Sequence, residues 1–259
     1  MTAFVEFERV GHAYPLDSGG SVTALEDVSF TLHKHEFVAV VGPSGCGKST
    51  LLRLLSGLIK PAMGNIRLFG KPLEGPQQEV GIVFQKPTLL PWLTVLDNVL
   101  FPIRHQRGRV SKADRHTAQQ LLAMVGLAGE AQRLPSALSG GMQQRVAIAR
   151  ALLLDPDILI MDEPFSALDA LTRETMGFEL LRIWNERPKT VLFITHSISE
   201  AVLLADRVLI MSARPGRLEE TVSVNLPRPR TPDSIHLPHF ADCTQILRSH
   251  LYRPVAEGG

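Results

Sequence analysis

The sequence predicts an α/β fold with a largely parallel sheet. Short runs that are apolar at every position indicate strands buried on both faces, and segments with helical spacing separate these runs. The N-terminal residues 4–10 instead alternate apolar and charged side chains, which is typical of an antiparallel strand with one exposed face. The fully apolar runs are 37–41, 158–161, 191–194 and 208–211.

The N-terminal third predicts both kinds of strand and one helix. Residues 28–32 continue the half-exposed pattern of the first strand. The buried run 37–41 then ends in glycine, and helical spacing follows over 48–58. Gly57 and Pro61 close this segment, as helix C-termini commonly require. A buried strand that leads through a glycine turn into a helix is therefore expected here.

The middle of the chain has a different texture. Between 85 and 155 the β-branched runs disappear, and apolar residues recur every three or four positions over 111–125 and 142–154. This pattern predicts a helical insertion within the α/β core. Beyond residue 213 proline and arginine are frequent, which predicts an extended segment, and 242–251 predicts one short helix.

Composition limits the possible functions. The chain has 259 residues, and its 27 Lys and Arg nearly balance its 26 Asp and Glu, which leaves a net charge of +1. Such a chain does not attract nucleic acid through bulk charge, so we expect no nucleic-acid partner. With 44% hydrophobic and 20% charged residues it is neither disordered nor fibrous in character. A chain of this length can bury about 70–75% of the surface that its unfolded form exposes, enough for one sizeable core.

Cysteines and targeting signals give two further expectations. Cys46 and Cys243 are far apart and outside a CxxC spacing, which indicates neither a disulfide framework nor a zinc site and fits a reducing compartment. Residues 1–6 contain no basic segment before an apolar one, and no run of about 18 apolar residues is free of charge and proline. We therefore expect neither a signal peptide nor a membrane span.

The turn after the buried strand 37–41 carries a phosphate-binding motif. It fits GxxxxGK[ST] in the context that this motif requires, between a strand and a helix. Its backbone N–H groups and the helix N-terminus would hold phosphate, Lys48 would reach the β- and γ-phosphates, and the Ser49 hydroxyl would bind Mg²⁺. The alternative is a glycine-rich turn with a surface lysine. The predicted phosphate-binding residues are Gly42, Pro43, Ser44, Gly45, Cys46, Gly47, Lys48, Ser49 and Thr50.

A carboxylate pair ends the buried run 158–161. Asp162 is expected beside the metal, and Glu163 toward the γ-phosphate, where it would position and polarise the attacking water. An Asp-Glu pair after a strand is often only a solvated strand end. The phosphate motif upstream favours the catalytic interpretation.

Residues 138–145, LSGGMQQR, resemble the signature of the nucleotide-binding subunits of ABC transporters. The resemblance covers almost the entire chain, because the phosphate loop, Gln85, Asp162-Glu163, Asp169 and His196 follow in the order of that family. It implies a P-loop NTPase with a RecA-like parallel sheet core, an N-terminal antiparallel β subdomain and an inserted α-helical subdomain. The implied division is a core at 1–85 and 156–225, the helical subdomain at 86–155 and a C-terminal tail at 226–259.

The resemblance also assigns roles outside the phosphate loop. Tyr14 would stack on adenine, and Gln85 would touch Mg²⁺ or the water and orient the insertion. His196 would hydrogen-bond the γ-phosphate, although a histidine at a strand end often has only a structural role. A lone tyrosine in a loop is likewise often a packing residue.

The element Ser139-Gly140-Gly141 adds a second anion nest to the chain, because its hydroxyl and bare glycine backbone lie at a helix N-terminus. A glycine hinge is the alternative. The resemblance implies that two copies meet head to tail and enclose two ATP molecules, with Asp169 at the seam. Met142 replaces the glutamine that is commonest at its position in the signature. We expect activity to survive, since the nest donors are backbone groups and the Ser139 hydroxyl.

The segment 87–95 is too apolar for a free loop. In the family it helps to form the groove that receives a cytoplasmic helix of the permease, and the alternative is that Leu90, Trp92 and Leu93 belong to the subdomain core.

A chromosome-maintenance ATPase would need a long coiled coil between Lys48 and Ser139. A translation factor would carry two cassettes, a small-molecule kinase would lack the second nest, and an exporter usually carries its own spans.

An importer ATPase remains as the predicted function, with ATP and Mg²⁺ as cofactors. The motifs around residues 84–95, 214–217 and 226–230 look most like the nitrate, alkanesulfonate and taurine group. A pyrimidine-precursor importer is the alternative substrate class, and a non-transport ABC ATPase is the alternative function. The implied partners are permease subunits, a substrate-binding protein and a second copy of the chain, at the cytoplasmic face of the cell membrane.

Overall fold

The computed structural model describes residues 3–17 and 19–251. Met1 and Thr2, part of the segment searched for a signal peptide, and 252–259, the end of the predicted tail, lie outside the described residues. The described chain forms two compact units. Unit 1 lies within Met1–Pro76 and Leu192–Gly259, and unit 2 is Gln77–Val191. The finer division into core, insertion and tail stays a prediction.

Unit 1 begins with an antiparallel sheet in the order β2-β1-β4-β5. Along β1, Val5, Phe7 and Val10 are buried while Glu8 and Arg9 are exposed, as the alternating sequence predicts. Register shifts in the β1–β2 pairing bend this ribbon, which is longer at both ends than its apolar pattern indicates. The strands are β1 Ala3–Pro15, β2 Ser21–His33, β4 Met63–Leu68 and β5 Lys71–Pro72.

The rest of unit 1 contains the buried strands, the strand β10 (Leu218–Ser223) beside them and three helices. β3 (Phe37–Val41) is buried at all five positions and runs parallel to β9 (Arg207–Met211), which pairs antiparallel with β10. β8 (Thr190–Ile194) leads the chain from unit 2 into unit 1. The helices of unit 1 are α1 Lys48–Leu55, α6 Ile198–Leu204 and α7 Pro238–Leu251.

Unit 2 carries one parallel strand pair and most of the helices. β6 (Val80–Val83) pairs in register with β7 (Ile158–Asp162), Val80 opposite Ile158 and Val83 opposite Met161. The helices are α2 Val95–Arg107, α3 Lys112–Met124, α4 Gly140–Leu152 and α5 Ala170–Glu186. The prediction of a mixed α/β fold with parallel and antiparallel strands is confirmed.

The starts of the helices differ in a way that bears on function. Helices α2 to α6 each begin after a Ser, Thr or Asp whose side chain accepts a hydrogen bond from the third backbone N–H of the helix. Helix α1 begins after Gly47 and has no such side-chain cap. Its first N–H groups are therefore open to an external acceptor. Among the described residues, no helix combines the length and the apolar character that a bilayer crossing requires.

Candidate functional site

The phosphate loop of unit 1 depends on glycine at its last position. Gly47 has φ 92°, in the left-handed region, and a Cβ there would lie 2.5 Å from Leu25 Cδ2 and 2.8 Å from the carbonyl oxygen of Ala24. A side chain is thus excluded both by backbone strain and by the close approach of β2. The turn delivers the chain from β3 into α1 with the helix N-terminus uncovered by a cap.

Lys48 is held within this loop by its own carbonyl oxygens. Its Nζ donates to Gly42 O at 2.8 Å and to Pro43 O at 3.0 Å, and only 9% of the residue is exposed. Cys46 Sγ lies 3.7 Å from the same nitrogen. Burial raises the pKa of the Cys46 thiol, so this thiol stays protonated at neutral pH beside the ammonium group. The single positive charge of the loop is therefore not offset by a thiolate.

Ser49 and Thr50, the next two residues, differ in burial. Ser49 is exposed, so its hydroxyl is accessible to a ligand, whereas Thr50 is buried. Tyr14 Oη lies 3.3 Å from Thr50 Oγ1 and accepts a hydrogen bond from Arg53 Nη1 at 3.5 Å. These contacts hold Tyr14 beside the start of α1. Its predicted stacking on adenine stays a prediction.

The loop 214–217, whose motif resembles that of the nitrate and taurine importer group, packs against the phosphate loop. A Cβ on Gly216 would lie 2.0 Å from Cys46 O, so this backbone packs directly on the phosphate loop. Gly216 N donates to Ala24 O at 3.0 Å, and Arg214 Nε donates to Gly45 O at 3.1 Å. The motif at 214–217 was visible in the sequence, but its contact with a loop about 170 residues away was not.

His196 lies in a turn that is fixed on both sides. Thr195 Oγ1 accepts from Ser197 N at 3.0 Å and donates to Glu200 Oε2 at 2.6 Å. Thr195 N donates to Val40 O at 3.2 Å, and Val40 belongs to the strand that enters the phosphate loop. The exposed His196 is thus anchored, through Thr195, to β3, the strand that leads into the phosphate loop.

In unit 2 the carboxylate pair is followed by a strained turn. Asp162 is the last residue of β7, and Glu163 has φ 43°, in a region that non-glycine residues rarely adopt. Ser166 N donates to Glu163 O at 3.1 Å, and Gln85 Nε2 donates to Ser166 Oγ at 3.0 Å. The structure therefore brings Gln85 to the turn that contains Glu163.

The signature element forms the N-terminus of α4. Ser139 is the N-cap, and its Oγ accepts from Met142 N at 3.3 Å. Gln144 is buried and donates from Nε2 to Phe84 O at 3.3 Å, which ties α4 to the residue before Gln85. Gln144 lies in the signature 138–145, but no role was predicted for it, since a glutamine within an amphipathic helix gives no signal of its own.

Asp169 lies beside this element. A Cβ on Gly141 would lie 3.2 Å from Thr172 Cγ2, so the signature backbone is close to the first turn of α5. Asp169 caps α5 by accepting from Thr172 N at 2.9 Å and from Thr172 Oγ1 at 2.7 Å. These two hydrogen bonds hold the pKa of Asp169 below its usual value. Unit 2 thus brings together four predicted site residues: Ser139, Gly140, Gly141 and Asp169.

The segment before α2 is ordered although it has no regular structure. Asn98 is completely buried, accepts from Leu90 N at 2.7 Å and donates to Leu90 O at 3.1 Å and Leu93 O at 3.0 Å. Arg150 Nη2 donates to Pro87 O at 2.7 Å. Trp92 nevertheless points outward, with 72% of its surface exposed. The alternative that this segment belongs to the subdomain core is therefore contradicted for Trp92, whereas Leu90 and Leu93 are half-buried, and a large apolar side chain is presented on a fixed backbone.

The metal predicted at Ser49, Gln85 and Asp162 is compatible with the donor types. A hydroxyl, an amide and a carboxylate supply the oxygen ligands that Mg²⁺ prefers. Within the described residues no three His, Cys, Asp or Glu side chains form a cluster that could hold a metal by themselves. Ser49 lies in unit 1 and the other two residues lie in unit 2, and their joint binding of Mg²⁺ stays a prediction.

Comparisons with known proteins agree with these features. A family model described as ABC transporter matches residues 25–166. A nitrate import ATP-binding protein of Synechococcus elongatus is 43% identical, over 98% of this chain and 94% of its own length. A taurine import ATP-binding protein of Pelagibacter ubique is 49% identical, over 85% of this chain and 82% of its own. A solved dimeric ATP-binding cassette in a post-hydrolysis state with ADP and Pi is 34% identical, with a TM-score of 0.73, and the match covers 85% of this chain and 99% of that one.

Proposed function

The chain belongs to the ABC transporter family, and we propose that it is the ATP-hydrolysing subunit of an importer for small anions such as nitrate, taurine or alkanesulfonates. ATP binding and hydrolysis follow from the family and from the post-hydrolysis state of the related cassette. The importer class rests on relatives that are nitrate and taurine import subunits. The chain would act at the cytoplasmic face of the membrane, bound to permease subunits. A substrate-binding protein would deliver the solute to these permease subunits.

One observation carries the proposal: a single chain has two helix N-termini that contain glycine, the kind of site that suits an anion. Gly47 opens α1 in unit 1 and Ser139 opens α4 in unit 2. Ser139 and Gly141 of a second copy would complete the binding site of a nucleotide on the phosphate loop of the first copy. This head-to-tail pairing is reciprocal, so it closes as a two-fold dimer with two nucleotides. The related cassette is itself dimeric.

The roles of the site residues follow from their chemistry. Lys48 would exchange its bonds to Gly42 O and Pro43 O for β- and γ-phosphate oxygens, which carry more negative charge. Glu163 would orient and polarise the attacking water, and His196 would donate to the γ-phosphate. Ser49, Gln85 and Asp162 would hold Mg²⁺, which neutralises charge on the phosphates.

Coupling would run through the hydrogen bonds of unit 2. Gln85 contacts Ser166 in the catalytic turn, and its neighbour Phe84 is bonded to Gln144 of the signature helix. Arg150 of the same helix holds the carbonyl oxygens of Pro87 and Thr88, at the start of the Trp92 segment. Closure of the dimer on ATP would therefore move this segment together with α4, and phosphate release would reverse the motion.

The catalytic proposal is tested by Glu163→Gln. This variant keeps every phosphate ligand but loses the carboxylate that polarises water, so turnover should fall by about 100-fold or more. Light scattering should show a dimer with Mg²⁺-ATP and a monomer with ADP. The double variant with Lys48→Ala is the control and should stay monomeric in both. Turnover near that of wild type would contradict the catalytic role of Glu163. A monomer in the presence of ATP would contradict the head-to-tail dimer.

The permease surface is tested by Trp92→Glu. Burying a new carboxylate at an apolar interface costs on the order of several kcal/mol, so co-purification with the permease should be lost while ATP hydrolysis by the isolated subunit is retained. Leu58→Glu, at another exposed apolar residue, is the matched control and should leave co-purification unchanged. Unchanged co-purification of the Trp92 variant would exclude this segment as the permease contact.

The substrate class is tested in the cell. A deletion strain grown on nitrate, taurine or alkanesulfonates as the only nitrogen or sulfur source should fail on the transported anion, and plasmid-borne wild type should restore growth. Plasmid-borne Glu163→Gln should not. Growth on all of them, with loss of pyrimidine-precursor uptake, would favour the alternative substrate class.

A further inference from the structure

Arg230, in the Pro/Arg-rich segment that follows β10, is a buried cation. Its side chain has no exposed surface, and Nη1 donates to Leu203 O at 2.7 Å, Ala205 O at 2.8 Å and Val202 O at 3.2 Å. These carbonyl oxygens belong to the last turn of α6 and its C-cap. A helix leaves such groups without partners inside the helix, and its C-terminus favours a positive charge. Arg230 thus acts as an external C-cap.

Asp206 joins this cap to a second element. Arg228 Nη2 lies 2.7 Å from Asp206 Oδ1, and Arg230 Nη2 lies 3.7 Å from the same oxygen. The other carboxylate oxygen accepts from Phe37 N at 2.9 Å, at the first residue of β3. Burial, and then the charge of Arg228, lower the pKa of Arg230 to about 10, so the guanidinium is still charged at neutral pH. We call Arg228, Arg230 and Asp206 the tail clamp.

The tail clamp sits at the far ends of two elements that lead to the phosphate site. β3 begins at the clamp and ends at the phosphate loop. Helix α6 ends at the clamp and begins two residues after His196, with Ser197 between them as its N-cap. Because α6 has only seven residues, about 10 Å, a displacement of its C-terminus is transmitted to its first turn. In that turn Glu200 donates from N to Ser197 Oγ at 3.3 Å and accepts from Thr195 Oγ1 at 2.6 Å, so it is hydrogen-bonded to both neighbours of His196.

We propose that Arg230 is a positioning residue for ATP hydrolysis, which sets His196 relative to the phosphate loop by clamping α6 to β3. The proposal rests on the role given to His196 under the proposed function. The C-terminal segment is then part of the catalytic unit rather than an appendage. Without the Arg230 guanidinium, the last turn of α6 and its C-cap lose three hydrogen bonds and keep the one from Arg228 Nη2 to Leu204 O, so α6 and the His196 turn become less firmly placed.

The test compares Arg230→Met, Arg230→Lys and the control Arg248→Met, an exposed arginine on α7, in the full chain. Steady-state ATP hydrolysis is measured well below each variant's melting temperature. Arg230→Met should lower kcat about tenfold or more and change KM for ATP by less than about twofold, because the phosphate loop keeps its own contacts. Arg230→Lys keeps the charge and part of the cap, and it should recover part of kcat. The control should match wild type.

A double-variant cycle separates positioning from mere stability. His196→Ala and Arg230→Met are combined, and hydrolysis of radiolabelled ATP is followed with enzyme in excess, so that slow rates are measured. If Arg230 acts through His196, the double variant hydrolyses ATP no more slowly than His196→Ala alone. The proposal would be overturned if the rate of the double variant fell by the product of the two single losses. It would also be overturned by a kcat of Arg230→Met within about twofold of wild type. If Arg230→Met does not fold, Arg230→Lys is judged by the same cycle. Normal turnover of His196→Ala would instead refute the role of His196 in the proposed function.

Discussion

The phosphate loop of unit 1 and the signature element of unit 2 look alike in sequence but are built differently. Both place glycines at the start of a helix. Helix α1 begins after Gly47 with no side-chain cap, so its N-terminus is open to an external acceptor. Helix α4 is already capped, because Ser139 Oγ accepts from Met142 N. The phosphate loop therefore leaves its helix N-terminus without a side-chain cap, whereas in the signature element one of the first N–H groups of the helix is already bonded within the chain.

The space around the glycines differs as well. A Cβ on Gly47 would come within 2.5 Å of Leu25 Cδ2, whereas a Cβ on Gly140 would meet only Leu168 Cδ2, at an ordinary contact distance of 3.7 Å. The fold of unit 1 therefore requires glycine at position 47. The fold of unit 2 accepts alanine at position 140. The missing side chain at Gly140 is useful only if something outside this chain approaches it, which is what the head-to-tail dimer predicts.

Gly47→Ala should have the largest effect on the free energy of unfolding. A left-handed backbone costs a non-glycine residue about 1–2 kcal/mol, and forcing a methyl group into a packed site adds about 1–3 kcal/mol. We expect a loss of about 2–5 kcal/mol by urea denaturation, together with loss of ATP binding. Gly70→Ala is the control, since Gly70 has a similar φ of 73° but open space around its Cβ position. Equal losses in the two variants would show that strain alone, and not the approach of β2, requires the glycine.

Gly140→Ala should separate stability from activity. Alanine is the better helix former by about 1 kcal/mol in a helix interior, so the melting temperature should stay the same or rise. ATP turnover and ATP-dependent dimerisation should nevertheless fall, turnover by about tenfold, because a methyl group keeps phosphate from the nest. Gly129→Ala, also in unit 2 with open space, should leave both unchanged. Wild-type turnover in Gly140→Ala would mean that no partner surface approaches this backbone.

The sequence predicted those parts of the fold whose signals are local. The buried strand β3 was predicted with its observed bounds, and the phosphate motif followed from its flanks. Helix α5 was missed, although it has 17 residues, because threonines and the interior Gly177 weaken its helical pattern. The strands β4 and β10 were missed because at least half of the residues of each are exposed and neither has an apolar run.

The contacts that organise the site could not be predicted from the sequence. Arg214 reaches Gly45 across 169 positions, and Arg230 reaches α6 across 25 to 28. No spacing rule connects such residues, since the fold alone makes them neighbours. The Pro/Arg-rich composition predicted an extended segment, but the burial of Arg230 against a helix end depends on the tertiary structure.

Met142→Gln should have the smallest effect, and it tests whether the signature element works through its backbone. The contact of this residue with Ser139 comes from its amide N–H, which any residue other than proline supplies. Methionine and glutamine have similar helix propensities, and Met142 is only half-buried. We expect turnover within about twofold of wild type and an unchanged melting temperature. A change of about fivefold or more in turnover, with the melting temperature unchanged, would mean that the side chain itself contacts the nucleotide or the second copy. The contrast between the two helix N-termini would then rest on side chains in unit 2 as much as on backbone.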